Sequence, residues 1–347
     1  MHKRTIHAPR TRTVPGTLSK AEWAVLIALP MLCSFAALCI GRMQISPAAV
    51  FRSVYANLTG GSVTATVETV LWNIRLPRIL LALLVGGGLS AAGCAFQSLF
   101  ANPLATPDTL GVASGASFGA ALGLLAGVSL IGIQLSALFF GLLAVLLTWA
   151  AGSGRRRGMH SVVLAGIMIG SLFSALISLV KFTADSDTKL PAITYFLMGS
   201  LDGVGYRSLA LGAPLILIGT AVLFLLRWRL NLLPLSEDEI TSSGVNVRRL
   251  RIVTVLCAAA VTASCVSMCG QVGWIGLLVP HACRLKFGGN HLALLPASVL
   301  TGSAFMVIVD TVARSATAAE LPVSILTAMI GAPFFIYLMR RSEGMGL

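Results

Sequence analysis

The sequence predicts an all-α polytopic membrane protein with ten transmembrane helices, and three observations lead there. Hydrophobic residues make up 56% of the 347 and charged residues only 11%, with a mean hydropathy of +0.89. A soluble domain cannot bury that much apolar surface. The apolar residues also fall into windows long enough to cross a bilayer. Finally, the lysines and arginines gather beside the ends of those windows, which is the positive-inside signature. The net charge of +13 therefore points to a membrane surface and away from nucleic acid.

Residues 1–21 form a basic tail carrying Lys3, Arg4, Arg10, Arg12 and Lys20. The apolar run from Trp23 has a long basic flank and no small-x-small cleavage site after Ile40, so it reads as an uncleaved first span at 22–41 with the N-terminus in the cytoplasm. Further spans fall near 76–98, 109–127, 130–151, 160–182, 207–226, 252–269, 294–313 and 322–340. A tenth candidate, 272–285, is short and contains Pro280. Charge decides in its favour. With ten spans, Arg284, Lys286, Arg340 and Arg341 lie inside, and seventeen of the 25 cations are cytoplasmic. The eight outside are Arg42, Arg52, Arg75, Arg78, Lys181, Lys189, Arg207 and Arg314. The membrane domain then covers 22–341, with 342–347 a cytoplasmic C-terminal tail.

Within the third span, Gly111, Gly115, Gly119, Gly123 and Gly127 recur every four residues. They line a groove for close helix packing or mark a flexible, lumen-facing helix. Asn102-Pro103 and Thr106-Pro107-Asp108 ahead of it mark a tight turn. On the outer side, 191–201 reads as a short interfacial helix ending at Gly203.

Residues 227–251 are a polar island between two apolar spans. Ser236 and Glu239 have the spacing of a capping box. Glu237, Asp238 and Glu239 sit in the first turn, where the helix dipole favours acids, and Gly244 supplies a left-handed stop. Leu235 leads into this short helix. It is either a solvated connector or a docking element for a soluble partner.

Chemistry-bearing residues are few. Asp310 is the one carboxylate inside a span; Arg314 follows it by one turn, which suggests an i,i+4 ion pair near the outer surface. His281 is the only histidine in a predicted span and reads as a packing residue. The seven cysteines (Cys33, Cys39, Cys94, Cys257, Cys265, Cys269 and Cys283) lie mostly in apolar runs without C-x-x-C spacing, so no metal site is expected. No Walker A, G-x-S-x-G or H-E-x-x-H motif occurs, so the chain is not expected to be an enzyme. Arg75, Arg78 and Arg314 stand on the outer face against the charge rule. They either snorkel or form an electropositive rim for acidic residues of an external partner.

Several motifs in register carry a family resemblance over about residues 70–340. They are Arg75-Leu-Pro-Arg78, Gly86-Gly-Gly88, Gln97, Asn102-Pro-Leu-Ala105, Leu110-Gly-Val-Ala-Ser-Gly-Ala116, Gly276-Leu-Leu-Val-Pro-His281 with Arg284, Asp310 with Arg314, Glu320-Leu-Pro322 and Gly331-Ala-Pro333. The chain resembles the FecCD permeases of iron-siderophore and vitamin B12 ABC importers. That resemblance implies a type II ABC importer permease in a bacterial inner membrane. Such a permease pairs with a second copy or a sister chain, two cytoplasmic ATPases that hold ATP and magnesium, and an external substrate-binding protein. It also implies coupling helices at about 233–247, reception of the binding protein at Arg75, Arg78 and Arg314, and a pathway lined by 160–182 and 322–340. The coupling loop departs from the family pattern, with Ser236 and Ser242-Ser243-Gly244 where the family carries Gly before its Glu and a Leu-Gly ending. The expected cargo is a ferric siderophore or similar metal chelate, with haem, cobalamin or an oxyanion as alternatives; no cofactor is expected on this chain. An ion-coupled secondary transporter is the competing class, and it would need buried acids that the sequence scarcely offers.

Overall fold

The computed structural model describes residues 16–61, 64–152, 159–317 and 319–343. Lys3, Arg4, Arg10, Arg12, Arg155, Arg156, Arg157 and the tail from 344 lie outside the described residues. A capping box between Ser19 and Glu22 opens α1 (Lys20–Cys39). Outside the first span, α2 (Pro47–Thr59) is capped by Ser46 and stopped by Gly60 at φ +73°. The next helix begins earlier than hydropathy suggests. Here α3 (Ala65–Glu68) runs through a π-helical stretch, Thr69–Arg75, into α4 (Leu76–Leu99). The polar Glu68, Asn73 and Arg75 hide this turn from an apolar window. The π register, with Leu76 N–H on the Leu71 carbonyl, ends just before Pro77, which has no N–H to offer.

The axis of the bundle is α4. In the most apolar 18-residue window of 65–99, 83% of residues are buried, against 22% in that of the 161–183 span. Its glycines explain this: a Cβ on Gly86 would lie 2.2 Å from the Gly302 carbonyl oxygen, and one on Gly93 only 1.8 Å from that of Gly276. Neighbouring backbones touch α4 directly, as close packing in lipid requires.

A 3₁₀ turn, Pro107–Leu110, precedes α5 (Val112–Ala126) and α6 (Leu130–Gly152). Gly115 and Gly119 press on the Phe140 and Ser136 carbonyls of α6, and Gly123 on Ile133. Gly111 and Gly127 are not on that helical face. Both adopt left-handed φ as the residues flanking α5, and Gly111 instead meets Gly166 and Gly170 of α7 (Met159–Thr183). The outer helix α8 spans Lys189–Leu197 and gives way at Gly199 (φ +74°), not at Gly203.

There follow α9 (Tyr206–Leu225), α10 (Arg227–Leu230), α11 (Glu237–Ser242), α12 (Val247–Cys269), α13 (Ile275–Phe287), α14 (His291–Ser315) and α15 (Val323–Glu343). Among the described residues seven helices are long and apolar enough to cross by themselves; α5, α13 and α15 bring the crossings to ten. With 13 residues, α13 reaches only about 20 Å of the roughly 30 Å core. The irregular 270–274 segment, where Trp274 holds φ +70°, leads into α13. Gly16 and Asn231 both meet Asn290 at one end of the bundle, while the Tyr206 hydroxyl donates to the Trp72 carbonyl at the other (2.6 Å).

Candidate functional site: an arginine-lined mouth and a bolted polar segment

Two clusters occupy opposite ends of α4. The outer one is set by the Gly86–Gly302 contact. Antiparallel α4 and α14 touch there, and eight residues outward on each helix stand Arg78 and Asp310, about 12 Å along both axes. Arg78 Nε donates to both Asp310 oxygens (2.8 and 3.1 Å) and Nη2 reaches Oδ1 at 2.8 Å. Its Nη1 donates to Glu320 at 2.7 Å, with Asp202 at 3.8 Å. Such a fork-on-carboxylate pair is the strongest ion-pair geometry available to a buried arginine.

The expected i,i+4 pair of Asp310 with Arg314 is present, but it is the longer of two, and Arg78 makes the close one. Arg314 Nε lies 3.9 Å from Asp310, and its terminal nitrogen donates to the Ala37 carbonyl of α1. Spacing along one helix reveals i,i+4 neighbours only; Arg78 arrives from 232 residues away. Arg75 donates to the carbonyls of Leu38 and Met43.

The three arginines expected on an exposed rim are in fact buried, at 3%, 5% and 6% for Arg75, Arg78 and Arg314. They nevertheless line an open recess of about 240 Å³ with Gly41, Arg42, Met43, Val70, Ile74 and Glu320. Arg78 and Arg314 there face the carboxylates of Asp310 and Glu320, while Arg75 meets only carbonyls and Arg42 is exposed at the lip, so the recess is electropositive.

At the inner end, the Ser236 hydroxyl accepts from Glu239 N–H at 3.4 Å while Glu239 Oε2 accepts from Ser236 N–H (2.9 Å) and its hydroxyl (2.8 Å). Those bonds from Ser236 hold the Glu239 carboxyl below its ordinary range. Gly244 takes φ +73° just past the helix end. Buried Ile240 anchors α11, and Glu237 pairs with Arg251 of α12 at 2.5 Å. Asp238 and Leu235 are exposed.

The segment is tied to the core through residues that apolar windows do not single out. Asn231, just after α10, accepts on Oδ1 from His291 N–H (2.9 Å), and His291 Nδ1 lies equally close to that oxygen. An amide oxygen can only accept, so Nδ1 carries the proton and Nε2 accepts from the Ser98 hydroxyl of α4 at 2.5 Å. Next to Ser98, Gln97 accepts from Arg284 of α13 at 2.9 Å. His281, the histidine inside a predicted span, has its ring against Phe335 of α15 (centroids 5.4 Å apart). His291 escaped because the apolar window started at 294, three residues inside the true helix. Gln97, Arg284 and Glu320 were visible in motifs, though not their partners.

A family model described as the FecCD transport family matches residues 28–341. The molybdate import system permease protein of Haemophilus influenzae is 38% identical over 87% of this chain and 91% of its own length. A probable iron chelatin transport system permease protein of Helicobacter pylori is 40% identical over 81% and 85%. A solved structure described as an inward-facing metal-chelate type ABC transporter superposes with a TM-score of 0.83 at 36% identity, covering 92% of this chain and 98% of its own.

Proposed function

The chain belongs to the FecCD transport family, and from that premise we propose that it is the membrane-spanning permease of an ABC importer carrying a metal chelate inward. It works with cytoplasmic ATPases, an external binding protein and a second permease copy, and its N- and C-termini lie in the cytoplasm. One observation supports the mechanism above the rest: both clusters grip the same buried helix. Arg78 sits at the outer end of α4, and Gln97 and Ser98 at its inner end, about 30 Å away. ATP-driven closure of the ATPases moves α11. The Asn231–His291–Ser98 bonds pass that movement to α4 and α14, and the mouth on the other side responds as one rigid body. Leu235, Asp238 and the outward face of Glu237 meet the ATPase, while Ser236, Glu239 and Gly244 shape the helix that presents them. The electropositive recess, with exposed Arg42 in front of Arg75, Arg78 and Arg314, receives acidic groups of the binding protein.

A pathway along α7 and α15 favours a shielded chelate. Leu164, Ile167, Met168, Leu172, Met329 and Phe334 are exposed there. Ser171, Ser174 and Ser178 of α7 give their hydroxyl protons to their own helix's carbonyls. Among the described residues, 164–178 of α7 and 329–334 of α15 carry no cation to trap a bare anion. The molybdate-importing relative keeps an oxyanion as the second reading.

The test is co-expression with the neighbouring ATPase and binding-protein genes, purification in mild detergent, and uptake into liposomes of a ⁵⁵Fe-siderophore or of molybdate. ATP-dependent uptake is expected, with the ATPase co-purifying at one copy per permease, and Glu237→Lys with Glu239→Lys abolishing both. Uptake by the chain alone under an ion gradient overturns the importer reading; uptake of molybdate but not the chelate overturns the cargo.

A further inference from the structure

Behind the docking helix lies a second recess that no step above uses. It has a volume of about 340 Å³ and is formed by Leu226, Arg229, Gly244, Val245, Asn246, Arg249, Leu250 and Val253. Its lip is cationic and its floor is apolar. Arg229 enters from α10 and Arg249 from the first turn of α12, and among the described residues neither guanidinium meets a carboxylate. The one acid of α11 that reaches toward α12, Glu237, is already paired with Arg251. The apolar side continues into the lipid-facing surface. Leu225 (78% exposed), Ile252, Val253 and Leu256 extend it along α9 and α12, and Trp228 stands beside it half exposed. An amphipathic tryptophan at a helix end marks headgroup depth.

We propose that this recess binds the phosphate headgroup of an anionic phospholipid. The two arginines hold the phosphate, and an acyl chain runs along the exposed apolar strip of α12. The charge fits: paired cations at the cytoplasmic end of a span attract anionic headgroups. The shape also fits, because a soluble anion has no use for an apolar floor open to the bilayer, whereas a lipid fills both halves. The bound lipid steadies the joint between α10, Gly244 and α12, the hinge on which α11 moves. This inference rests on the cytoplasmic placement of 227–251, and its test reads different residues from the Glu237/Glu239 experiment, so the two can fail separately.

Native mass spectrometry of the detergent-purified full chain, titrated with palmitoyl-oleoyl phosphatidylglycerol or the matching phosphatidylcholine, decides it. Wild type is expected to prefer the phosphatidylglycerol by tenfold or more. Arg229→Gln with Arg249→Gln should weaken that binding by about thirtyfold, the effect of losing two cations near a headgroup. Arg248→Gln, outside the recess, should leave it unchanged. Val253→Trp keeps every charge and fills the floor, so it should also evict the lipid, and it carries the test if the arginine pair fails to fold. Equal binding of the two lipids by wild type overturns the proposal, as does an unaffected double variant. Displacement by equimolar inorganic phosphate identifies a soluble-anion site instead. Retained lipid with loss of ATPase co-purification from the double variant assigns the surface to the protein partner.

Discussion

The arginine cluster at one end of α4 and the capped helix α11 at the other are both built around acids and arginines, yet they are opposite kinds of structure. At the mouth, Arg78 and Asp310 are 5% and 1% exposed and join helices 232 residues apart in sequence. At α11, every bond of the cap closes within three residues and in water. Buried pairs are costly to break because one charge is left without solvent or partner. Exposed caps and ion pairs contribute locally and little to the whole. The outer cluster is thus a fastener of the bundle that also shapes a recess, while the inner helix is a separately folded handle.

Breaking the outer pair should therefore give the largest effect. Arg78→Ala leaves Asp310 buried with only the 3.9 Å contact to Arg314 and should cost about 3–5 kcal/mol, read as a large drop in thermal unfolding temperature in detergent. Arg78→Ala with Asp310→Ala together should recover part of that loss. A double variant less stable than Arg78→Ala alone would mean that Arg314, at 3.9 Å, is Asp310's principal partner. The same reasoning changes how binding-protein docking must be probed. Reversing Arg75 or Arg314 would damage the fold first, so exposed Arg42→Glu is the clean variant. It should weaken capture of the loaded binding protein severalfold with an unchanged unfolding temperature. Unaltered capture would remove the recess from the docking surface.

The contrast also sets what could be read from the chain alone. Ten spans follow from hydropathy and charge because the bilayer imposes length on each helix separately. The α11 cap was legible for a similar reason: Ser236 and Glu239 are three residues apart and find each other in any context. The Arg78–Asp310 pair was not, since its geometry depends on the Gly86–Gly302 contact between two distant helices. Asn231, His291 and Ser98 are common polar residues whose significance appears only when α10, α14 and α4 meet. The π turn before Pro77 was hidden by its own polar residues.

Gly86→Ala sharpens this dependence with a smaller effect. A methyl group 2.2 Å from the Gly302 oxygen must push α4 from α14, at about 1–3 kcal/mol for overpacking. Because the displacement acts two turns from Arg78, the variant should also loosen the recess. Hydrogen exchange of the 72–80 segment should quicken while that of 237–242 stays as it was. Equal quickening at both ends would mean that α4 does not transmit strain as a local lever but unfolds as a whole.

Ser236→Ala should give the smallest change and test the other half of the comparison. Loss of the cap removes about 1 kcal/mol from α11, yet Ile240 still anchors the helix and no core bond is touched. The unfolding temperature should stay fixed while amide exchange in 237–242 rises several-fold. Acid should act on the same element in wild type. Glu239 has its carboxyl held low by Ser236, so the cap's contribution is complete above the ordinary glutamate range and is lost as pH falls through the lowered folded value. Exchange in 237–242, corrected for its intrinsic pH dependence, should therefore approach that of Ser236→Ala only in strong acid, and the variant itself should respond far less to the same titration. A variant as pH-sensitive as wild type would show that the Ser236–Glu239 cap does not govern the order of the handle.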